Sequence, residues 1–394
     1  MAWKFAQPSL SSKVIVILAL SSFCMGVTEF VIAGVLLDVQ EFFGIDAHKA
    51  GYLTTAYALG VVVGAPLVTI PLSAFHRKIQ LLLNLGVFGA ANFVLYVSDD
   101  FTLSVLARFV AGTQHGVFFV IATLTALQVS PKGRESHNLA LMVSGLTIAL
   151  VSGVPLGTFI GEAYGFKAIF LLIFVFTSIA FCSALIFMPN TLKSQQIRFI
   201  YVVEALRVPP LLKAYLITIC TCGGAFVLYT YLGELLIKAM GFSAQAMGFI
   251  LLAYGGCAIL GNLFGGRLAD SCGSARALKL VISAQILIYA LVSVSYHWDW
   301  LVVVNLCCMG FVAFAGIPAL KMNAMNVAKK HTPSFMDSSI SVNEAAFNVG
   351  IALANQIGGL VVVAPLLGIS YNPLFAALFA TPALLALLLT RPNA

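Results

Sequence analysis

Four ionisable residues stand inside long apolar stretches of this chain: Glu29, Arg108, His115 and Glu344. A charge among apolar neighbours is costly, so such groups are expected to face a polar cavity or one another, and a functional site is the default reading. A carboxylate near a guanidinium is equipped for reversible protonation, because its proton is gained or lost as its surroundings change. Glu29 lies about 16 residues into the first stretch and Arg108 about seven into the fourth, entered from opposite sides; at about 1.5 Å per residue both fall toward the same face of the layer, where they can pair. His115 follows Arg108 by two helical turns on nearly the same face. Its imidazole, which ordinarily titrates near about 6.5, suits a proton relay or a hydrogen bond to a solute. A structural ion pair and a packing histidine are the plainer readings of the same residues. Glu344 lies about six residues into its stretch, within reach of the interface by snorkelling.

The elements that must position these groups are membrane helices. Of the 394 residues, 61% are hydrophobic and 9% charged, and the mean hydropathy is +1.02, values a single water-soluble core cannot accommodate. About twelve apolar stretches lie between residues 13 and 390, each near the roughly 20 residues a helix needs to cross a bilayer. Without water, each crossing must satisfy its own backbone hydrogen bonds, so helices are expected rather than open sheets. The expected fold is all-α and integral to the membrane. Twelve spans point first to solute translocation.

Of the 21 basic residues, all but Lys49, Lys167, Lys238 and the intramembrane Arg108 fall on one side of such a topology. The positive-inside rule makes that side cytoplasmic and puts both termini there. The net charge of +7 is then a product of topology. It gives no support to nucleic-acid binding, which would need a basic stripe with interleaved aromatics. The longest polar connection divides the chain into 1–190, a linker 191–210, and 211–394, with six spans on each side. This is the layout of a parallel transporter repeat. The eight cysteines show neither a disulfide framework nor zinc-ligand spacing and are read as packing residues.

Gly153, Pro155, Gly157 and Gly161 lie on the fifth span, their glycines four residues apart, so they form a groove that another helix can approach closely. Gly266, Arg267 and Asp270 close the eighth span with a charge cluster able to latch one conformation. The Gly-x-Pro-Leu-Gly run resembles the antiporter motif of the major facilitator superfamily, and Gly266-Arg-Leu-Ala-Asp270 resembles its loop motif. Arg108-Phe-Val-Ala-Gly112 is similar to the Arg-x-x-x-Gly motif of its fourth span. Thr28-Glu29-Phe30, Tyr57 through Pro66, His115 and Ala346-Phe-Asn348-Val-Gly350 resemble the bacterial drug:proton antiporter branch, near arabinose-efflux-like, sugar-efflux and purine-ribonucleoside-efflux permeases. The first-half loop departs from the pattern: Arg77 is present, but no acid stands where aspartate is usual, so a latch there must use another partner.

The resemblance implies two pseudo-symmetric six-helix bundles in a bacterial inner membrane, exporting a small solute (a sugar, nucleoside or drug-like compound) for protons by alternating access. Passive facilitation and proton-coupled uptake are the alternatives. Glu29, Arg108 and His115 would serve proton coupling. Tyr229, Asn348, His115 and Asn262 are the expected solute contacts, against interhelical hydrogen bonding as the plain reading. Arg77 and the glycine and loop motifs would serve conformational change. Glu234, about 23 residues into the seventh span, is expected at the outer surface as a solvated carboxylate. The expected partners are protons, a small molecule and lipid, the expected state a monomer, and no cofactor or metal is called for. The zinc-protease, nucleophile-elbow and phosphate-loop signatures of enzymes and ATP-driven pumps are missing.

Overall fold

The computed structural model describes residues 8–131, 135–192, 194, 199–295 and 298–389. The α-helices are α1 (Pro8–Phe30), α2 (Ile32–Phe43), α3 (Ala47–Ala50), α4 (Tyr52–Val63), α5 (Thr69–Leu72), α6 (Arg77–Val97), α7 (Phe101–Val129), α8 (Glu135–Tyr164), α9 (Ala168–Phe187), α10 (Phe199–Ala205), α11 (Pro209–Tyr229), α12 (Ala244–Cys272), α13 (Ser274–Ser295), α14 (Asp299–His331), α15 (Met336–Val363) and α16 (Asn372–Leu388). Among the described residues, eleven helical segments are long and apolar enough to cross a membrane. Helix α8, bent by 48° where Pro155 removes a backbone donor, makes the twelfth. Leucines such as Leu260, Leu263 and Leu287 stand exposed on the outside, as lipid contact requires and water would not tolerate.

Several helix crossings depend on glycine. A Cβ on Gly60, Gly64 or Gly112 would lie about 2 Å from a backbone oxygen of the facing helix, so α4 and α7 touch backbone to backbone. Gly261 and Gly265 of α12 meet the carbonyls of Phe311 and Ala315 on α14 in the same way. The glycine groove on α8 has a partner: Gly153, Gly157 and Gly161 receive Val27 of α1, Val31 at the break that follows it and Val35 of α2. That contact lies wholly within residues 1–190. The surface between residues 1–190 and 211–394 is not made by this groove; where α8 meets α12 it is lined by Phe159 against Gly248 and Phe249.

Two spans are interrupted at matching places. The first apolar stretch breaks at Val31, between α1 and α2, and α11 ends at Tyr229 ahead of a π-helical segment, Glu234–Ala239. A second π-helical segment, Gly64–Val68, contains Pro66 and lies within the span that begins at α3. Local π geometry and broken spans expose backbone groups that a regular helix would consume, and they concentrate at functional sites. Helix α14, at 33 residues, runs on to His331, carrying Lys329 and Lys330 in its last turn. The predicted linker contains the short helix α10, anchored by buried Val202 and Ala205 and by Tyr201 stacked on Phe335.

Candidate functional site

The Arg-x-x-x-Gly motif acquires a physical meaning at the α4–α7 crossing. Gly112 lets α7 close on the carbonyl of Tyr57, and that approach brings Arg108, one turn earlier, over the tyrosine ring at 4.3 Å. Arg108 is fully buried. Its Nε donates to the carbonyl of Leu53 at 3.0 Å and its Nη1 to the carbonyl of Thr28 at 2.6 Å. Nη2 has no partner. A cation–π contact and two charged hydrogen bonds offset the burial of the guanidinium, while the orphaned donor leaves a place for one more acceptor.

The expected ion pair between Glu29 and Arg108 is not formed. The described residues contain three ion pairs, Lys167–Asp99, Lys238–Glu234 and Lys321–Glu344. Arg108 instead grips the backbone one residue before Glu29. Glu29 itself is half-buried at the α1–α2 break and makes no hydrogen bond among the described residues, although it lies within the electrostatic reach of Arg108, Tyr57 and Tyr229.

His115 joins the same group through a residue that sequence reasoning quoted only as part of a motif. The hydroxyl of Tyr57 lies 2.7 Å from His115 Nδ1 and 3.1 Å from the carbonyl of Met25. His115 also packs against Phe119, with ring centroids 4.9 Å apart. The tyrosine therefore connects Arg108, His115 and the helix that carries Glu29. The signal available in the sequence was its place at the head of the motif running from Tyr57 to Pro66.

Tyr229 stands at the second helix interruption and meets the first. Its ring lies edge-on to Phe30 at 6.5 Å and is flanked by Phe226 at 5.5 Å and Tyr254 at 5.3 Å. The structure thus brings Tyr229 beside the Glu29 break. Asn348 is on α15, where its Nδ2 donates to the carbonyl of Glu344 at 3.3 Å and its buried Oδ1 has no partner. Asn262 is half-buried on α12 and makes no hydrogen bond among the described residues. No described contact ties it to Tyr229 or Asn348.

Of the conformational residues, Arg77 is buried and donates to Gln80 at 3.0 Å. Gln80 in turn donates to the carbonyls of Leu72 and Phe75 and to Ser194. A neutral amide replaces the missing acid. Arg267 is exposed and Gly266 faces Pro318, whose Cβ would lie 4.0 Å from a Cβ added there, while the side chain of Asp270 lies outside the described residues. Glu344 does not simply snorkel: it forms an ion pair with Lys321 at 2.9 Å.

Glu234 is corrected more strongly. Although near the end of its span, it is buried, because the π-helical segment turns it toward α2. Gln40 Nε2 donates to it at 2.6 Å, and Lys238 bonds both Glu234 at 3.0 Å and Gln40 Oε1 at 2.8 Å. Nearby, His48 Nε2 lies 3.2 Å from Gln356 Oε1, and Gln356 donates to Thr55 at 3.0 Å. These bonds join the first half of the chain to the second at the end of the bundle remote from the start of α1 and the end of α16. Beside them a cleft of about 200 Å³ is lined by Gly34, Asp38, Thr158, Glu162, Ile237 and Met247, among others. Burial and the neighbouring Glu41 and Glu162 push the Asp38 carboxyl up from its ordinary value.

Comparison with known proteins identifies the class. Residues 18–355 match the Major Facilitator Superfamily, and the chain belongs to it. It is 33% identical to the uncharacterized MFS-type transporter YtbD of Bacillus subtilis (strain 168), over 87% of each chain. It is 31% identical to the inner membrane transport protein YdhP of Escherichia coli (strain K12), over 93% of each. A probable sugar efflux transporter of Helicobacter acinonychis (strain Sheeba) is 26% identical over 92% of this chain and 91% of its own. Among solved structures, a bacterial homologue of the human lysosomal transporter Spinster, in an inward-facing and unoccupied conformation, superposes with a TM-score of 0.76. It is 12% identical and covers 98% of this chain and 97% of its own, which establishes the shared fold. The protein is a multi-pass membrane transporter of small solutes, not an enzyme.

Proposed function

We propose that this transporter exports a small solute in exchange for protons by alternating access, with Glu29 as the proton-carrying group. The observation that carries the reading is Glu29 itself: a half-buried carboxylate with no hydrogen-bond partner among the described residues, at a helix break beside the buried Arg108 and its unpartnered Nη2. A carboxylate held merely for structure would be bonded. Here the charge is left free to take a proton or to engage Arg108 as the cavity changes side. His115 acts through Tyr57, and Tyr229 and Asn348 contact the solute.

Residues 1–190 and 211–394 move as two bundles linked by 191–210, with both termini cytoplasmic in a bacterial inner membrane. The Gln40–Glu234–Lys238 and His48–Gln356–Thr55 bonds then close the periplasmic end. A likeness to a named sugar exporter and the absence of any ATP-binding signature support export driven by a gradient. The deciding experiment is proton release from energised inside-out vesicles on adding a panel of sugars, nucleosides, amino acids and cationic drugs, with native protein and Glu29→Gln. Collapse of the gradient by one solute class, only when Glu29 is present, is the expected result. Equilibration of labelled solute without proton movement would replace antiport with passive facilitation.

A further inference from the structure

The Lys321–Glu344 pair is absorbed by none of the roles above. Its amine and carboxylate are 2.9 Å apart, yet their side chains keep 58% and 46% exposure within the helical bundle. The face of α14 that carries Lys321 also carries Gly310, Phe314 and Pro318 near it at helical spacing. Gly310 lies against Tyr254, whose ring packs on Tyr229, so this face runs from the aromatic group at the helix break to the ion pair. On α15, Asn348 stands one turn beyond Glu344, about 93% buried, with an Oδ1 that no donor satisfies. On α11, the buried Cys222 lies within electrostatic reach of both charges and, two turns before Tyr229, shares its helix face. Helices α11, α14 and α15 pack against one another here, and they bring Lys321 and Glu344 together one helical turn from the buried Asn348.

We propose that this bay binds a solute bearing an ammonium and a carboxylate close together, an amino-acid-like zwitterion. The ammonium has several protons to donate and meets Glu344, while rotation of the Asn348 side chain turns its unsatisfied, buried Oδ1 toward it. The carboxylate meets Lys321. A zwitterion replaces the internal ion pair with two new ones and leaves no charge unpaired, whereas a lone anion or cation would leave one member of the pair without a partner of opposite charge. The apolar remainder of the solute points along α11 and α14 toward Tyr229 and Tyr254. The proposal rests on the reading that solutes pass between residues 1–190 and 211–394, and it names the class for that path.

The test uses the purified full chain. Binding of L-tyrosine and L-leucine, of their methyl esters (cations) and of their N-acetyl derivatives (anions), is measured by calorimetry. The same compounds, with xylose and uridine, are assayed for counterflow in proteoliposomes. The expected result is that at least one free amino acid binds, that both of its single-charge derivatives bind at least tenfold more weakly, and that Glu344→Gln and Lys321→Gln each weaken binding at least tenfold.

The reversed pair Lys321→Glu/Glu344→Lys keeps the ion pair. Its membrane abundance should match native, with the amino acid still bound at least tenfold more weakly because Asn348 is now paired with the wrong charge. Equal affinity for zwitterion and derivatives, unchanged affinity in the single variants, or binding of xylose or uridine alone would overturn the zwitterion. Glu29-dependent proton exchange for xylose or uridine in the last case would leave the export reading standing. Amino-acid binding without any counterflow would preserve the site and sink the export reading.

Discussion

Tyr57 offers its ring to Arg108 at 4.3 Å and its hydroxyl to His115 at 2.7 Å, so one side chain couples the guanidinium and the imidazole that α7 presents two turns apart. The arrangement depends on Gly112, because any side chain there would hold α7 away from the Tyr57 carbonyl. The charge of Arg108 is thus stabilised by an aromatic face and two backbone carbonyls, which keeps it charged while Glu29 remains unpaired nearby. Changes to this group should separate folding from transport.

Tyr57→Phe removes the hydroxyl and keeps the ring. It should cost about 1 kcal/mol of stability, with membrane abundance near native and transport slowed several-fold. Tyr57→Leu also removes the cation–π contact and should cost about 2 kcal/mol or more. Thermal unfolding in detergent, read beside vesicle transport, tests the order; equal melting temperatures for the two variants would contradict it.

Glu29→Gln should lose uphill, proton-driven movement while retaining solute binding and counterflow, since the amide keeps shape and polarity without a titrating proton. Acidifying the periplasmic side should accelerate export by the native chain and leave the variant unchanged. Full pH-dependent transport by Glu29→Gln would remove this residue from coupling.

Gly112→Ala and Gly157→Ala make a matched pair. The new Cβ of the first lies 2.0 Å from a backbone oxygen, and that of the second 2.4 Å from Val31 Cγ2. Helices α4 and α7 must separate in one case, whereas a side chain has only to shift in the other. The first should cost about 1–3 kcal/mol and lower transport sharply; the second should be milder and should recover with Val31→Ala. Gly157→Leu should insert normally yet fail to transport, and native transport at equal abundance would exclude the α1–α8 groove from the mechanism.

Glu234→Gln leaves a hydrogen bond to Gln40 but no partner of opposite charge for Lys238. Weakening a charged hydrogen bond by about 1–3 kcal/mol shifts a two-state balance by roughly tenfold or more toward the open arrangement. A cysteine introduced at Leu37, which lines the adjacent cleft, should then react several-fold faster with a membrane-impermeant maleimide than in the parent. Identical rates would show that this network does not hold the two parts together.

The number of crossings was legible in the sequence because backbone hydrogen bonds in lipid must close within each apolar stretch, and composition reports that directly. So were the buried charges: Glu29, Arg108 and His115 stand out because an ionisable group has so few neighbours like itself. The glycine groove on α8 could be read from spacing alone, since its period is a property of one helix. Partnership was not legible, because it depends on where two helices cross and how they are rotated. Only the tertiary structure decided that Arg108 holds the carbonyls of Thr28 and Leu53 rather than Glu29, and that Tyr57 bridges to His115. It also decided that Gln80 takes the place of the missing acid beside Arg77. Depth along a span misjudged Glu234, because a π-helical turn and Gln40, 194 residues away in sequence, bury a carboxylate that position alone would leave in water.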